Sequence, residues 1–502
     1  MNFVDYITIG FSIALQPMNL LYCFIGVVVG TLVGVLPGIG PVAAMSLLFP
    51  MTFKIPPETA IIMLGGIYYG AMYGGSTTSI LVNIPGEAAS VVTCLDGYQM
   101  ARQGRAGPAL GIAAFGSFIG GTFSVIGLML LAPPLSQFAL KFGPPEYFSL
   151  MILGLSILTY LAHGSILKAV IMAALGLVLG LVGLDSISGL PRLTLGQMEL
   201  MDGIGLVPIL MGFFGVAEVL VNIEEQIKRE VFLTNIKGLF PKVQDWLESI
   251  WPIIRGTVVG FLLGILPGGG VVVASFTSYA MEKRISKHPE RFGKGAIAGV
   301  AGPETANNAA TGGAYIPLMT LGIPSNVVMA MLLGAFMVHG LSPGPLLMKQ
   351  APGVFWGIVM SMYIGNVMLL ILNLPMIGVW IQILKVPYKI LFPLILLFCL
   401  IGSYSVNNMV FDIHIMVLFG ILGYLMRKFD YEGAPLVLAY VLGPLLENNL
   451  RKSLILSQGS FSIFFVRPIS VICLLVALFL LVSPLIPKLG EKREELANEE
   501  TS

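Results

Sequence analysis

Long uninterrupted apolar blocks alternate along this chain with short polar ones. Residues 20–36, 109–131, 148–161, 166–184, 354–371, 413–425 and 469–482 are each almost wholly hydrophobic. About 20 apolar residues in a helix cross a bilayer, so these blocks predict membrane-spanning helices, and the pattern as a whole predicts ten to twelve crossings. Charges concentrate in three stretches, 224–248, 282–294 and 488–500, which read as solvated loops and a tail.

Several of the apolar blocks are broken by Pro and Gly, and the breaks are written twice. Aligned 230 residues apart, Gly26, Val28, Val29, Gly30, Leu32, Gly34, Leu36, Pro37, Gly38 and Gly40 match Gly256, Val258, Val259, Gly260, Leu262, Gly264, Leu266, Pro267, Gly268 and Gly270. Downstream, the strings GGSTTSILVNIPG (74–86) and GGAYIPLMTLGIPS (312–325) face each other, as do Gly107-Pro108 and Gly344-Pro345. This is an internal duplication. It predicts a first membrane repeat over 1–222, a cytoplasmic linker over 223–250, a second repeat over 251–487 and an acidic cytoplasmic tail over 488–502.

Charge bias gives the copies opposite orientations. Lys283, Arg284, Lys287, Arg291 and Lys294 follow the second break, whereas the equivalent stretch of the first copy has only Lys54. Further on the bias reverses, with Arg102 and Arg105 in the first copy and no Lys or Arg in FMVHGLSPGP of the second. Basic loops mark the cytoplasmic side, so an inverted repeat is expected, with the N-terminus periplasmic and the C-terminus cytoplasmic. Arg192, Arg451 and Arg467 fit this scheme less clearly. The fold class expected is an all-α polytopic membrane protein with inverted repeats, broken helices and paired re-entrant hairpins.

Composition agrees: 56% of the 502 residues are hydrophobic and 11% charged, with a mean hydropathy of +0.91. A soluble domain carries about 25% charged residues. A net charge of +1 gives no attraction to nucleic acid. Cys23, Cys94, Cys399 and Cys473 are scattered without CxxC spacing, and the four histidines form no HExxH, so no metal or other cofactor is expected.

Pro removes a backbone donor and Gly removes side-chain bulk, so Pro37, Gly38, Gly40, Pro267, Gly268 and Gly270 are expected to interrupt helices at membrane depth. Such backbone must be buried in protein or line a watered cavity, and paired discontinuous helices point to a transporter's binding site. Two polar segments accompany the breaks. One holds Ser76, Thr77, Thr78, Ser79, Asn83 and Gly86; the other holds Thr305, Asn307, Asn308 and Thr311, with Asn326 beyond it. Neutral donors with free N–H groups at half-helix tips suit a carboxylate, and freed carbonyls suit Na⁺. The alternative for each Ser or Thr is a bond to its own helix or to a neighbouring one. Glu87, Asp96 and Glu304 adjoin these segments and are candidates for proton coupling or for bonding the hairpin backbone. Glu58, Glu146 and Asp185 read as interfacial.

The strings GVLPGIGP, GIYYGAMYGGSTTSILVNIPGEAASVVTCLDGYQMARQGRAGPALGIAA, FGPPEYFSLMILGLS, GLDSISGLPR and GPETANNAATGGAYIPLMTLGIPSN resemble the large membrane subunit of the tripartite tricarboxylate transporters, the TctA family. The resemblance covers nearly the whole chain. It implies ion-driven carboxylate uptake across a bacterial inner membrane, with substrates such as citrate and other di- and tricarboxylates and with Na⁺ or H⁺ as the coupling ion. It also implies two partners: a small membrane subunit (TctB-like) and a periplasmic solute-binding protein (TctC-like). Similarity to the wider ion-transporter fold implies an elevator motion. A passive organic-anion channel and an intramembrane enzyme are the competing readings, although no catalytic dyad or metal set can be picked out.

Overall fold

A computed structural model describes residues 3–36, 40–161, 165–225, 238–268, 270–384 and 388–483. The chain is a large, mostly α-helical polytopic membrane protein. Among the described residues, seven helices are long and apolar enough to cross a membrane: Pro17–Val35, Ala106–Ala139, Leu206–Glu224, Val243–Gly264, Pro352–Asn373, Ile390–Asn407 and Val410–Lys428. The apolar block at 148–161 lies in the 18-residue helix Pro144–Leu161, and those at 166–184 and 469–482 in the 15-residue helices Ile166–Gly180 and Pro468–Val482. Proline opens several helices at their first position, where its missing N–H would have no intrahelical partner. The only sheet among the described residues is a two-stranded hairpin, Gly183–Leu184 with Pro191–Arg192.

The centre is built from two helix pairs with the same contact. In the first, Pro17–Val35 lies on the 26-residue helix Pro57–Val82. A Cβ on Gly26, Gly30 or Gly34 would stand 2.3 to 2.5 Å from the carbonyl oxygens of Met63, Ile67 and Ala71. In the second, Val243–Gly264 lies on Ala298–Gly313, and a Cβ on Gly256, Gly260 or Gly264 would stand 2.2 to 2.4 Å from the carbonyls of Gly302, Ala306 and Ala310. Four-residue glycine spacing therefore lets two backbones touch in each pair, the way small residues pack helices where no hydrophobic force separates protein from lipid.

This contact corrects the register of the second polar segment. Gly74 meets the Thr31 carbonyl and Gly313 meets that of Phe261, so Gly74 corresponds to Gly313 rather than to Gly312. The same 239-residue offset then holds to the end of the segment. Helix 57–82 stops at Asn83 (φ 57°), and the short helix Tyr315–Leu321 stops at Gly322 (φ 72°), both in the left-handed conformation that ends helices. Ile84-Pro85 matches Ile323-Pro324, Gly86 matches Ser325, and Glu87 matches Asn326.

Of the breaks, Pro37 and Gly38 lie outside the described residues. Gly40 (φ 67°) opens Gly40–Thr52, and Gly270 opens Gly270–Ile285. Gly268 (φ 93°) donates its N–H to the Ser325 carbonyl at 2.7 Å, which ties the break to the tip of the polar segment. The helix from Val243 begins inside the stretch expected to be linker; 226–237 and the tail from 484 lie outside the described residues.

The cations that fitted the charge scheme poorly are all neutralised. Arg192 pairs with Glu447 at 2.6 Å, Arg451 with Asp185 at 2.6 Å and Arg467 with Glu146 at 3.3 Å.

Candidate functional site

Both polar segments turn at an Ile-Pro pair and then start a new helical stretch, and in each the residue at the turn caps that start. Glu87 accepts the Ala89 N–H at 2.7 Å ahead of the short turn Ala88–Ser90. Asn326 accepts the Met329 N–H at 2.9 Å ahead of Val327–Val338. A side-chain oxygen at this position satisfies a donor that the helix start leaves open.

Each capping residue is held by the other segment. Asn307 Nδ2 donates to Glu87 Oε1 at 3.1 Å, and Asn326 Nδ2 donates to the Tyr68 hydroxyl at 3.1 Å. At the 239-residue offset Tyr68 corresponds to Asn307 and Asn326 to Glu87, so the same two positions are bridged twice with the segments exchanged, the helix residue donating in one bridge and the turn residue in the other. Thr311, one turn on, donates to the Asn307 carbonyl at 2.9 Å.

Between the two turns lies a cavity of about 250 Å³. Its wall includes Tyr68, Glu87, Ala88, Gly268, Asn326 and Val327, joined by Pro41 and Val271–Val273 from the helices that follow the breaks. Four helix starts thus meet at one cavity. Leu158, Leu161, Glu432, Ala434 and Leu438 complete the wall from segments without a polar motif.

The other expected site residues occupy the seam behind this cavity. Glu304, 1% exposed, accepts from the hydroxyls of Ser76 and Thr93. Asn308 donates to Ser117 Oγ at 2.7 Å and to the Glu304 carbonyl at 3.1 Å. Two voids just large enough for one water each flank this seam, one lined by Ser76, Thr77 and Ser117, the other by Asn308, Thr311 and Asn366. Several candidates serve backbone structure. Thr78 donates to the Val35 carbonyl at 2.7 Å and Thr305 to that of Ala301 at 2.7 Å. Ser79 is buried beside Cys94. Asn83 is exposed and contributes its backbone conformation. Gly86 allows close packing, because a Cβ there would lie 2.0 Å from the Gly34 carbonyl.

Asp96 lies apart from the cavity. Its Oδ1 accepts the N–H groups of Gly295 and Ala296, both at 2.7 Å, and its Oδ2 accepts the Tyr279 hydroxyl at 2.9 Å. It therefore secures the turn entering the 298–313 helix. Among the described residues no group of three or more His, Cys, Asp or Glu side chains is placed to hold a metal ion.

Sequence reading passed over Tyr68, Thr93, Ser117 and the wall residues around Leu158 and Leu438. Tyr68 was findable, since it stands at the repeat position of Asn307; the wall residues carry no local signal.

The family model described as "Tripartite tricarboxylate transporter TctA family" matches residues 20–438. The chain is 52% identical over 500 residues, covering all of both chains, to an "Uncharacterized 52.8 kDa protein in TAR-I ttuC' 3'region" of Agrobacterium vitis. It is also 51% identical over 237 residues to an "Uncharacterized protein in TAR-II ttuC' 3'region" of the same organism, a match that covers 47% of this chain and 98% of that protein. No solved structure matches.

Proposed function

Because the chain belongs to the tripartite tricarboxylate transporter TctA family, and is therefore a transport subunit rather than an enzyme, we propose that it carries carboxylates across the inner membrane in the cavity between its two polar turns. The observation that carries this reading is the exchanged pair of bonds, Glu87 to Asn307 and Asn326 to Tyr68, framing a cavity onto which helix starts converge. N–H groups at helix starts favour negative charge, and apolar walls keep competing water out. A citrate-like tricarboxylate or a related organic acid is the substrate class this supports.

The repeats are inverted in this proposal, spanning 1–222 and 251–487, with the N-terminus periplasmic and the C-terminus cytoplasmic. Two groupings of loops support it. Gln103 donates to the Lys294 carbonyl at 2.7 Å and Arg105 pairs with Asp245, which brings the basic loops of both copies to one face. The helix that Glu58 opens packs against the helix that ends before His339, which brings their basic-poor counterparts together elsewhere. Glu432 of the cavity wall follows Arg427 and Lys428, which pair with Glu218 and Glu224 and belong to the cytoplasmic side in this arrangement. Movement of the paired turns against the surrounding helices, elevator fashion, then exposes the site to the other side.

Uptake is driven by a Na⁺ or H⁺ gradient. Glu87, in the cavity wall, and Glu304, buried behind it with hydroxyl donors from Ser76 and Thr93, take up the coupling ion in this reading. Substrate arrives from a periplasmic solute-binding protein, and a small membrane subunit completes the complex. The test is accumulation of a labelled carboxylate in proteoliposomes holding both membrane subunits with the binding protein outside. Accumulation above the external concentration, abolished when both gradients are collapsed, is expected. Equilibration without accumulation would establish a passive channel instead.

A further inference from the structure

A second and larger cavity, about 620 Å³, lies between the start of the 243–264 helix and the turn that follows Gly270–Ile285. Its lining includes Trp251, Arg255, Glu282, Lys287, His288 and Arg291. No step of the transport reading uses it.

Its charges are unevenly matched. Glu282, 3% exposed, is held by Arg255 through Nε at 2.7 Å and Nη2 at 2.5 Å, so that pair is internally neutral. Arg291 reaches Glu248 only at 3.7 Å, and Lys287 has no carboxylate partner among the described residues. With Glu248 also in its lining, the groove is left with one unmatched positive charge, that of Lys287, at its exposed edge.

Its other edge is apolar and exposed. Leu247, Trp251, Ile254, Val258 and Leu262 are 45–70% exposed and follow helical spacing, so they form one apolar stripe down the 243–264 helix. From Trp251 to Leu262 that stripe extends about 16 Å, roughly the length of an acyl chain. A Trp at the head of such a stripe marks the level of the headgroups.

We infer that this groove binds an anionic phospholipid, its phosphate at Lys287 and Arg291 and one acyl chain along the Trp251–Leu262 stripe. Zwitterionic lipid offers the same chain without net charge, so discrimination comes from the two cations. A basic residue at a membrane surface favours anionic lipid by about fivefold. The inference needs only that the chain is in a membrane, and it stands or falls apart from the transport reading.

The test uses the full chain reconstituted in bilayers with brominated lipids, whose bromines quench nearby tryptophans. Of the four tryptophans, Trp356 and Trp380 are buried, and Trp246 packs against Phe115. Quenching lost in Trp251→Phe isolates the groove signal. Brominated phosphatidylglycerol should bind there at least about tenfold more tightly than brominated phosphatidylethanolamine. Lys287→Gln, at an exposed side chain whose loss leaves the fold intact, should cut that preference about fivefold, and Lys287→Gln with Arg291→Gln should bring it near one. Equal quenching by both lipids, or a preference unchanged in the double variant, overturns the inference. Displacement of the lipid by free glycerol 3-phosphate overturns it too, by marking the groove as a soluble-phosphate site.

Discussion

Replacing Asn307 by Ala removes one of the two exchanged bonds at the cavity and little else. Its Nδ2 donates to Glu87 Oε1 at 3.1 Å, and its Oδ1 has no partner among the described residues, so truncation forfeits a single contact. A hydrogen bond to a carboxylate is worth roughly 1.5–3 kcal/mol, or about tenfold to a hundredfold in an equilibrium constant. Glu87 keeps the Ala89 N–H at 2.7 Å, so the turn itself should survive. Asn307→Ala is therefore expected to loosen Glu87 in the cavity wall and to raise the KM for carboxylate uptake in proteoliposomes, by at most about a hundredfold, with normal membrane insertion. Asn308→Ala, one residue on, should behave differently: its bonds go to Ser117 and the Glu304 carbonyl in the helix seam, so its cost should appear in Tm with KM little changed. Wild-type KM in Asn307→Ala, or equal KM effects in the two variants, would refute the reasoning that separates the bond holding Glu87 in the cavity wall from the bonds of the seam.

Further outcomes follow from other contacts. Ser156→Ala should be nearly silent in uptake and Tm, because among the described residues Ser156 Oγ bonds only the Ile152 carbonyl of its own helix at 2.8 Å. Gly260→Leu should prevent stable assembly, seen as loss of a monodisperse peak in detergent, since its Cβ would sit 2.2 Å from the Ala306 carbonyl; Gly378→Ala, with nothing within 4 Å, should elute normally. Cysteines placed singly at Lys54 and Ser342 should react with an impermeant reagent added outside, and those at Arg105 and Lys287 should not; the reverse or a mixed result would reject the inverted arrangement. At the interfacial cluster, the Arg451 hydrogen bond holds the Asp185 carboxyl well below the usual aspartate range. A depressed folded-state pKa stabilises above the unfolded value of about 3.9 and ceases to do so as pH falls through the folded value. The Tm gap between wild type and Arg451→Gln should therefore be full at neutral pH and close in acid.

Much of this molecule was written locally. Apolar block length fixed the helices at 20–36, 109–131 and 354–371, because a bilayer leaves a run of that length one stable conformation. The duplication was equally plain, since matched glycines at four-residue spacing survive as letters whatever they pack against. What the letters could not say was which polar side chain faces which. Glu304 meets Ser76 across 228 positions, and Glu87 meets Asn307 across 220. Asp96, an attractive coupling candidate by its neighbours in sequence, is consumed by two backbone N–H groups some 200 residues away. The amide of Asn83 marks it as a ligand donor in the sequence, yet its place is set by a left-handed backbone that Gly322 adopts in the other copy. Leu158, Glu432 and Leu438 join the cavity wall without any motif. Helix formation depends on a residue's near neighbours, but a cavity is the space left where distant helices stop approaching, and that distance is decided only once the glycine contacts have brought the backbones together.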